Sequence, residues 1–151
     1  MSLGMENGKI SDNQITASSE YDVTNGAPNA RLNFRARDGL AGAWSPRTSD
    51  QSQWLQVDFQ RFINSTGIST QGRKGCGCNQ FVKSYTITFS DDGEKFQSHK
   101  PGGVVKVFVA NTDINSIVNH VFTPSIVARW IRIHPRAWNN YISMRVELYG
   151  C

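Results

Sequence analysis

No stretch of this chain approaches the ~20 consecutive apolar residues that a membrane-spanning helix needs, and no segment recurs at the period of roughly 20–50 residues that marks a solenoid or propeller. A transmembrane segment and a repeat architecture are therefore not expected. Lysine and arginine number 16, yet they never form the dense run of a nucleic-acid arm. Nucleic acid is excluded as a partner on that ground, and a net charge of +4 supports only weak attraction to an anionic surface. The start, Met1-Ser2-Leu3-Gly4-Met5, has neither the cationic residues nor the apolar stretch of a secretory signal. Charged residues are few, at 19%, against 38% hydrophobic, which is too apolar for a disordered chain. At 151 residues one compact core is expected.

Histidine and cysteine are also scarce. His99, His120 and His134 sit in unrelated segments, and no Ser, Cys or Asp is tied to any of them by spacing. No active site is assembled, so the chain is expected not to be an enzyme. Three cysteines are an odd count. Cys76 and Cys78 lie in Gly75-Cys76-Gly77-Cys78, and two Cα steps span at most ~7.6 Å. A tight Gly-rich turn can bring such a pair within the ~4.4–6.8 Å of a disulfide, with two free thiols or a metal half-site as the competing readings. Neither a second Cys pair nor a nearby His completes a four-ligand zinc site, and no metal or cofactor is expected. The sequon Asn64-Ser65-Thr66 makes Asn64 a glycosylation acceptor and fits an extracellular protein, although such triplets also arise by chance.

What the chain has in abundance is alternation with a period of two. Leu55, Val57 and Phe59 share one face, as do Tyr85, Ile87 and Phe89. The pattern returns at 105–109, 130–134 and 142–148. Turn signals separate these runs: Asp91-Asp92-Gly93, Pro101-Gly102-Gly103, Asn111-Thr112-Asp113, Thr123-Pro124 and His134-Pro135. Many short strands without an amphipathic helix predict an antiparallel β-sandwich or jelly roll. Residues 18–45 and 71–80 carry little strand pattern, and long loops held by rigid sheets are where binding commonly resides.

A series of motifs then points to a family. It runs from Leu3-Gly4-Met5-Glu6-Asn7-Gly8 through Gln14-Ile15-Thr16-Ala17-Ser18-Ser19, Ala43-Trp44, Gln53-Trp54-Leu55-Gln56-Val57-Asp58, Val82-Lys83-Ser84-Tyr85 and Trp130-Ile131-Arg132 to Arg145-Val146-Glu147-Leu148-Tyr149-Gly150-Cys151. In this order they resemble the discoidin, or coagulation factor V/VIII type C, domain family over residues 3–151, with Met1-Ser2 as a remainder of expression. The resemblance implies an all-β, eight-stranded antiparallel jelly-roll sandwich of the galactose-binding-domain kind, whose protruding loops, or spikes, form a binding surface at one end. It further implies that Cys151 pairs with a cysteine preceding the domain.

Carried over by position, the first spike covers residues 20–29, the second 37–42 and the third 73–80, with 136–141 beside them. The ligand-binding residues expected there are Glu20, Tyr21, Asp22, Val23, Thr24, Asn25, Arg37, Leu40, Arg73, Lys74, Asn79, Gln80, Arg136, Trp138 and Asn139. Tyr21 and Trp138 are read as apolar contacts, and Arg73, Lys74 and Arg136 as partners for acidic groups. Members of the family that insert into phosphatidylserine membranes carry bulky apolar residues at the first and third tips, whereas this chain has Tyr21 and Val23 at the first and glycines and cysteines at the third. The expectation is a noncatalytic, extracellular adhesion or binding module that recognises a cell-surface glycan or other polar ligand. An anionic phospholipid headgroup and an extracellular protein partner such as collagen or a receptor are the alternatives. Relatives that hold calcium use an Asp-Gly loop, matched by Asp38-Gly39, and a carboxylate in the last strand. Arg145 stands at that last position and cannot ligate Ca²⁺, so no calcium is expected. Trp44, Trp54 and Trp130 read as core, and Arg31, Arg132, Arg145, Asp58 and Glu147 as members of charge-assisted structural pairs, not of a binding patch.

Overall fold

The computed structural model describes all 151 residues. Seven strands are hydrogen-bonded in antiparallel register: β1 (Ile15–Ala17), β2 (Leu55–Gln71), β3 (Phe81–Ser90), β4 (Gln97–Ser98), β5 (Phe108–Val109), β6 (Val118–Asn139) and β7 (Arg145–Gly150). The two long strands build both layers. One half of β2, at Leu55 to Asp58, pairs with β1 and with β6 at Trp130 to Ile133, while its other half pairs with β6 at Val118 to Ala128 and with β7. The far end of β6 continues along β3, which carries β4 and β5. This is the jelly-roll sandwich that the alternation predicts. Its two long strands, β2 and β6, run through bends without breaking.

Bulges make those bends. Pairing of β2 with β6 shifts between Asp58 and Ile63 and again between Ser65 and Gly67. At the first bulge Gln60 turns into the left-handed region, at φ 63°, and its N–H donates to Asp58 Oδ1 at 2.8 Å. At the second, a Cβ on Gly67 would stand 2.7 Å from the His120 carbonyl oxygen, so only glycine lets the strands approach there. The inward faces of these strands, with Met5, Ile10, Ala27, Ala30, Trp44, Ala110, Ile142 and Met144, form one core of 25 buried residues. At roughly 25 cal/mol per Å² of apolar surface, this burial is the main stabilising term.

Several details depart from expectation. Thr123-Pro124 and His134-Pro135 lie inside β6, not in turns. Each sits where pairing is interrupted: partners jump from Ile126 to Val121 on one side, and skip Arg136 beside Pro135 on the other. A proline, having no N–H, is tolerated at such a gap. Of residues 105–109 only Phe108 and Val109 pair as a strand. Residues 136–139 are strand, leaving only a tight turn at Asn139 to Tyr141. Asn64 lies within β2, exchanging both backbone hydrogen bonds with Cys151, and its half-buried side chain has its Oδ1 buried without a partner.

Each of the structural charges is engaged in charge-assisted bonds, as expected, though the partners come from outside the set. Arg145, 1% exposed, donates to the carbonyls of Gly72, Phe34 and Ile114 at 2.7, 2.9 and 3.0 Å. Glu147, 2% exposed, accepts from the Met5, Glu6 and Leu148 amides at 2.9, 3.2 and 3.0 Å. Asp58 pairs with Arg129 and Arg31 with Asp12. Arg132 instead stacks between Trp54 and Phe96, with its guanidinium carbon 3.8 Å from each ring centroid.

Candidate functional site

At one end of the sandwich the segments 20–29, 37–42 and 73–80 converge. Asp22 caps a single 3-10 turn (Val23–Asn25) by accepting from the N–H and hydroxyl of Thr24 at 2.8 and 2.6 Å. Those bonds, with the nearby Arg73 charge, hold its carboxyl below the usual carboxylate range. Glu20 accepts from the Ala27 N–H at 2.7 Å and closes the first spike. Asn29 donates to the Thr24 and Ala41 carbonyls, and Trp44 Nε1 donates to the Ser19 carbonyl at 3.0 Å, so the spike is fastened at its base. In the second spike Arg37 and Leu40 exchange backbone bonds around Asp38 and Gly39, both at positive φ, in a two-residue hairpin turn. Asp38 and Gly39 thus build a turn.

Cys76 and Cys78 are joined by a disulfide, with Cα atoms 5.2 Å apart. The third spike is closed by Arg73 N–H donating to the Gln80 carbonyl at 3.0 Å. Asn139 and Asn140 donate from their side chains to the Asn79 carbonyl at 2.8 and 3.2 Å, tying the spike to the neighbouring turn. A Cβ on Gly42 would stand 2.1 Å from the Lys74 carbonyl oxygen, so the second and third spikes touch backbone to backbone.

Between the first and third spikes lies a cleft of about 240 Å³ lined by Tyr21, Asn25, Ser45, Arg73, Gln80 and Tyr141. Tyr21 and Tyr141 meet edge to face across it, with centroids 5.8 Å apart and planes at 84°. The Tyr141 hydroxyl donates toward the Pro46 and Arg47 carbonyls at 2.8 and 2.7 Å, and burial raises its pKa, helped by the facing Tyr21 and Asp50. Beneath the rings, Gln80 Oε1 accepts from Ser143 at 2.8 Å and from Arg73 Nη1 at 3.4 Å, and Ser143 shares a 2.6 Å bond with Ser45. Two donors in this wall, Asn25 Nδ2 and Arg73 Nε, are buried without any acceptor. Asn25 itself is 3% exposed.

Of the residues expected to bind, the cleft gathers Tyr21, Asn25, Arg73 and Gln80. Glu20, Asp22, Thr24, Asn79 and Asn139 shape and fasten the spikes instead. Val23, 90% exposed, stands at the first tip outside the cleft. Arg37 and Leu40 line a neighbouring groove, and Lys74 another. Trp138 lies on β6 outside the cleft, where it pairs with Val82 and packs, half-buried, against the core. Arg136 is exposed on β6, with its carbonyl accepting from Gln51, and does not reach the cleft. Ser45 and Tyr141 lie within the segments 18–45 and 136–141 expected to bind, but were not singled out as contact residues. The tyrosine directly follows Asn139-Asn140, a turn signal that could have drawn attention to it.

Residues 14–148 match the F5/8 type C domain family. The chain belongs to that family. This F5/8 type C domain is similar to coagulation factor VIII of Canis lupus familiaris, at 40% identity over 154 residues, and to coagulation factor V of Homo sapiens, at 41% over 155. The chain is covered to 100% and 99% in these matches but spans only 6% and 7% of those proteins. Its fold is similar to discoidin II of Dictyostelium discoideum, with a TM-score of 0.81 and 33% identity over 90% of this chain and 53% of that one. It also resembles a family 32 carbohydrate-binding module of Clostridium perfringens NanJ solved with galactose, with a TM-score of 0.64, 19% identity, and 93% and 97% of the chains covered. The domain is a noncatalytic binding module, and no helix in it is long and apolar enough to cross a membrane.

Proposed function

We propose that this domain is an extracellular lectin-like module that holds one sugar unit of a cell-surface glycan between Tyr21 and Tyr141. The observation that carries this reading is the pair of buried, partnerless donors, Asn25 Nδ2 and Arg73 Nε, in the wall of an aromatic cleft. An unsatisfied buried donor costs about 1–3 kcal/mol, so a ligand oxygen that reaches it recovers that energy. Tyrosine rings supply the apolar surface that covers the C–H face of a sugar, while Ser45 and Gln80 match its hydroxyls. The cleft has the size of a small polar ligand. The Cys76–Cys78 bridge supports an oxidising, extracellular setting.

A glycan array tests the reading. Binding to a defined set of glycans that Tyr21→Ala abolishes supports it, and an array with no bound glycan overturns it. One observation favours a second reading: Val23, Tyr21 and Leu40 expose apolar side chains at the spike tips. Burying a Val-sized side chain contributes about 1.5–3 kcal/mol and each nearby cation about 1 kcal/mol, which supports weak contact with an anionic membrane. Sedimentation with phosphatidylserine vesicles, lost in Val23→Asp, is the result that reading requires.

A further inference from the structure

We propose that a second groove, walled by Arg35 and Lys74 and floored by Arg145, binds the sulfate groups of a sulfated polysaccharide. The groove encloses about 430 Å³, and all six of its lining residues are polar. Three are cationic, and Glu6 is the single carboxylate among them. Glu6 accepts a 3.1 Å bond from Asn33, so its charge is partly engaged at the rim. Arg145 is 1% exposed, and every protein acceptor it reaches is neutral. A buried guanidinium with no counter-anion projects a positive potential that water screens poorly.

The same bonds leave one Nη1 hydrogen of Arg145 without a protein acceptor. Arg35 and Lys74 likewise have no carboxylate within salt-bridge reach, since the two ion pairs of the structure are Arg31–Asp12 and Arg129–Asp58. Their spacing is fixed by the backbone: Lys74 is pressed against Gly42, and a Cβ on Gly75 would meet Ala36 at 3.1 Å. A groove of about 460 Å³ shares Glu6, Asn33 and Arg35 and adds Arg37, while its Arg31 is already paired with Asp12, so the cationic lining continues past the first groove through Arg37.

The shape selects the class of polyanion. A bilayer is planar and meets convex tips such as Val23, not the floor of a concave groove. Single-stranded nucleic acid is held by stacking on aromatic faces; the first groove has none, and in the second Phe34 is already covered by Arg37, 5.4 Å from its centroid. A flexible chain bearing many sulfate groups needs only spaced cations and polar walls.

Calorimetric titration with a heparin octasaccharide, the same oligosaccharide chemically desulfated, and a DNA oligomer of equal charge tests this. The sulfated form is expected to bind, more weakly as salt rises. Arg35→Ala with Lys74→Ala is expected to lose about tenfold or more in affinity. Lys95→Ala with Lys100→Ala, which removes equal charge from residues that do not line the groove, is expected to change it little, as is Tyr21→Ala. No binding of the sulfated form, equal binding of the desulfated form or of DNA, or equal loss in both double variants overturns the proposal. Because Tyr21 reports on the cleft alone, failure of the groove and failure of the cleft give different results.

Discussion

The rings of Tyr21 and Tyr141 stand edge to face at 5.8 Å, brought together from opposite ends of the chain. Tyr141 is anchored through its hydroxyl, whereas Tyr21 is held only by its backbone N–H to the Ser45 carbonyl at 2.8 Å and is 59% exposed. One wall of the cleft is therefore rigid and the other open. Tyr21→Ala is expected to reduce glycan affinity roughly tenfold, the loss of about one aromatic contact, while the melting temperature stays nearly unchanged. Calorimetric titration alongside thermal unfolding measures both.

Asn25 offers a different signature. Replacing a buried, hydrogen-bonded asparagine ordinarily destabilises by about 1–3 kcal/mol, but Asn25 Nδ2 has no partner to lose. Asn25→Ala is expected to cost less than that in urea unfolding and still to weaken glycan binding.

Glu147 presents the opposite case. Its carboxylate satisfies the Met5, Glu6 and Leu148 amides at the join between the N-terminal segment and β7. Glu147→Ala leaves those N–H groups without their acceptor and is expected to cost at least about 3 kcal/mol. Glu147→Gln, which keeps one carbonyl oxygen, is expected to cost less. Equilibrium denaturation separates the two.

The Cys76–Cys78 bridge closes a very short loop, and loop-closure entropy assigns such a ring only about 1.6 kcal/mol. Cys76→Ser with Cys78→Ser is expected to lower the melting temperature by a few degrees while speeding amide exchange in residues 73–80. The β-strand amides should keep their protection.

Stability should fall on mild acidification. His134 is half-buried beside Arg132, Thr88 Oγ1 is 2.8 Å from its Nε2, and desolvation lowers its pKa from 6.5 to about 4. Burial and Lys106 also lower that of His99. The unfolded chain takes up these protons first, so the stabilisation is complete above about pH 6.5 and is lost as pH drops toward 4. Asp58, held low mainly by its hydrogen bond from Arg129, adds its loss only under more acidic conditions. Urea midpoints across this range should slope less in His134→Gln.

The strands that face the core were legible because burial imposes a period of two, as at Leu55, Val57 and Phe59. The two prolines of β6 misled because a bulge, a property of the paired strands, decides whether a proline ends a strand or sits in its gap. The cleft was half legible. Tyr21, Asn25, Arg73 and Gln80 lie in loops that lack strand pattern, but Tyr141 and Ser45 reach them only through Tyr21 N–H to Ser45 and the Pro46 and Arg47 carbonyls. Trp138 looked like a ligand platform because an exposed loop and a strand end are indistinguishable until β3 pairs with it. Arg145 and Glu147 were legible as structural charges, but their partners were not, because the backbone groups they bind come from elements remote in sequence.

The most direct test is a crystal structure of the domain soaked with a glycan selected on the array. A sugar ring is expected between Tyr21 and Tyr141, with an oxygen within hydrogen-bond distance of Asn25 Nδ2 or Arg73 Nε. A sugar bound elsewhere on the domain, with the Tyr21–Tyr141 cleft unchanged, would contradict it.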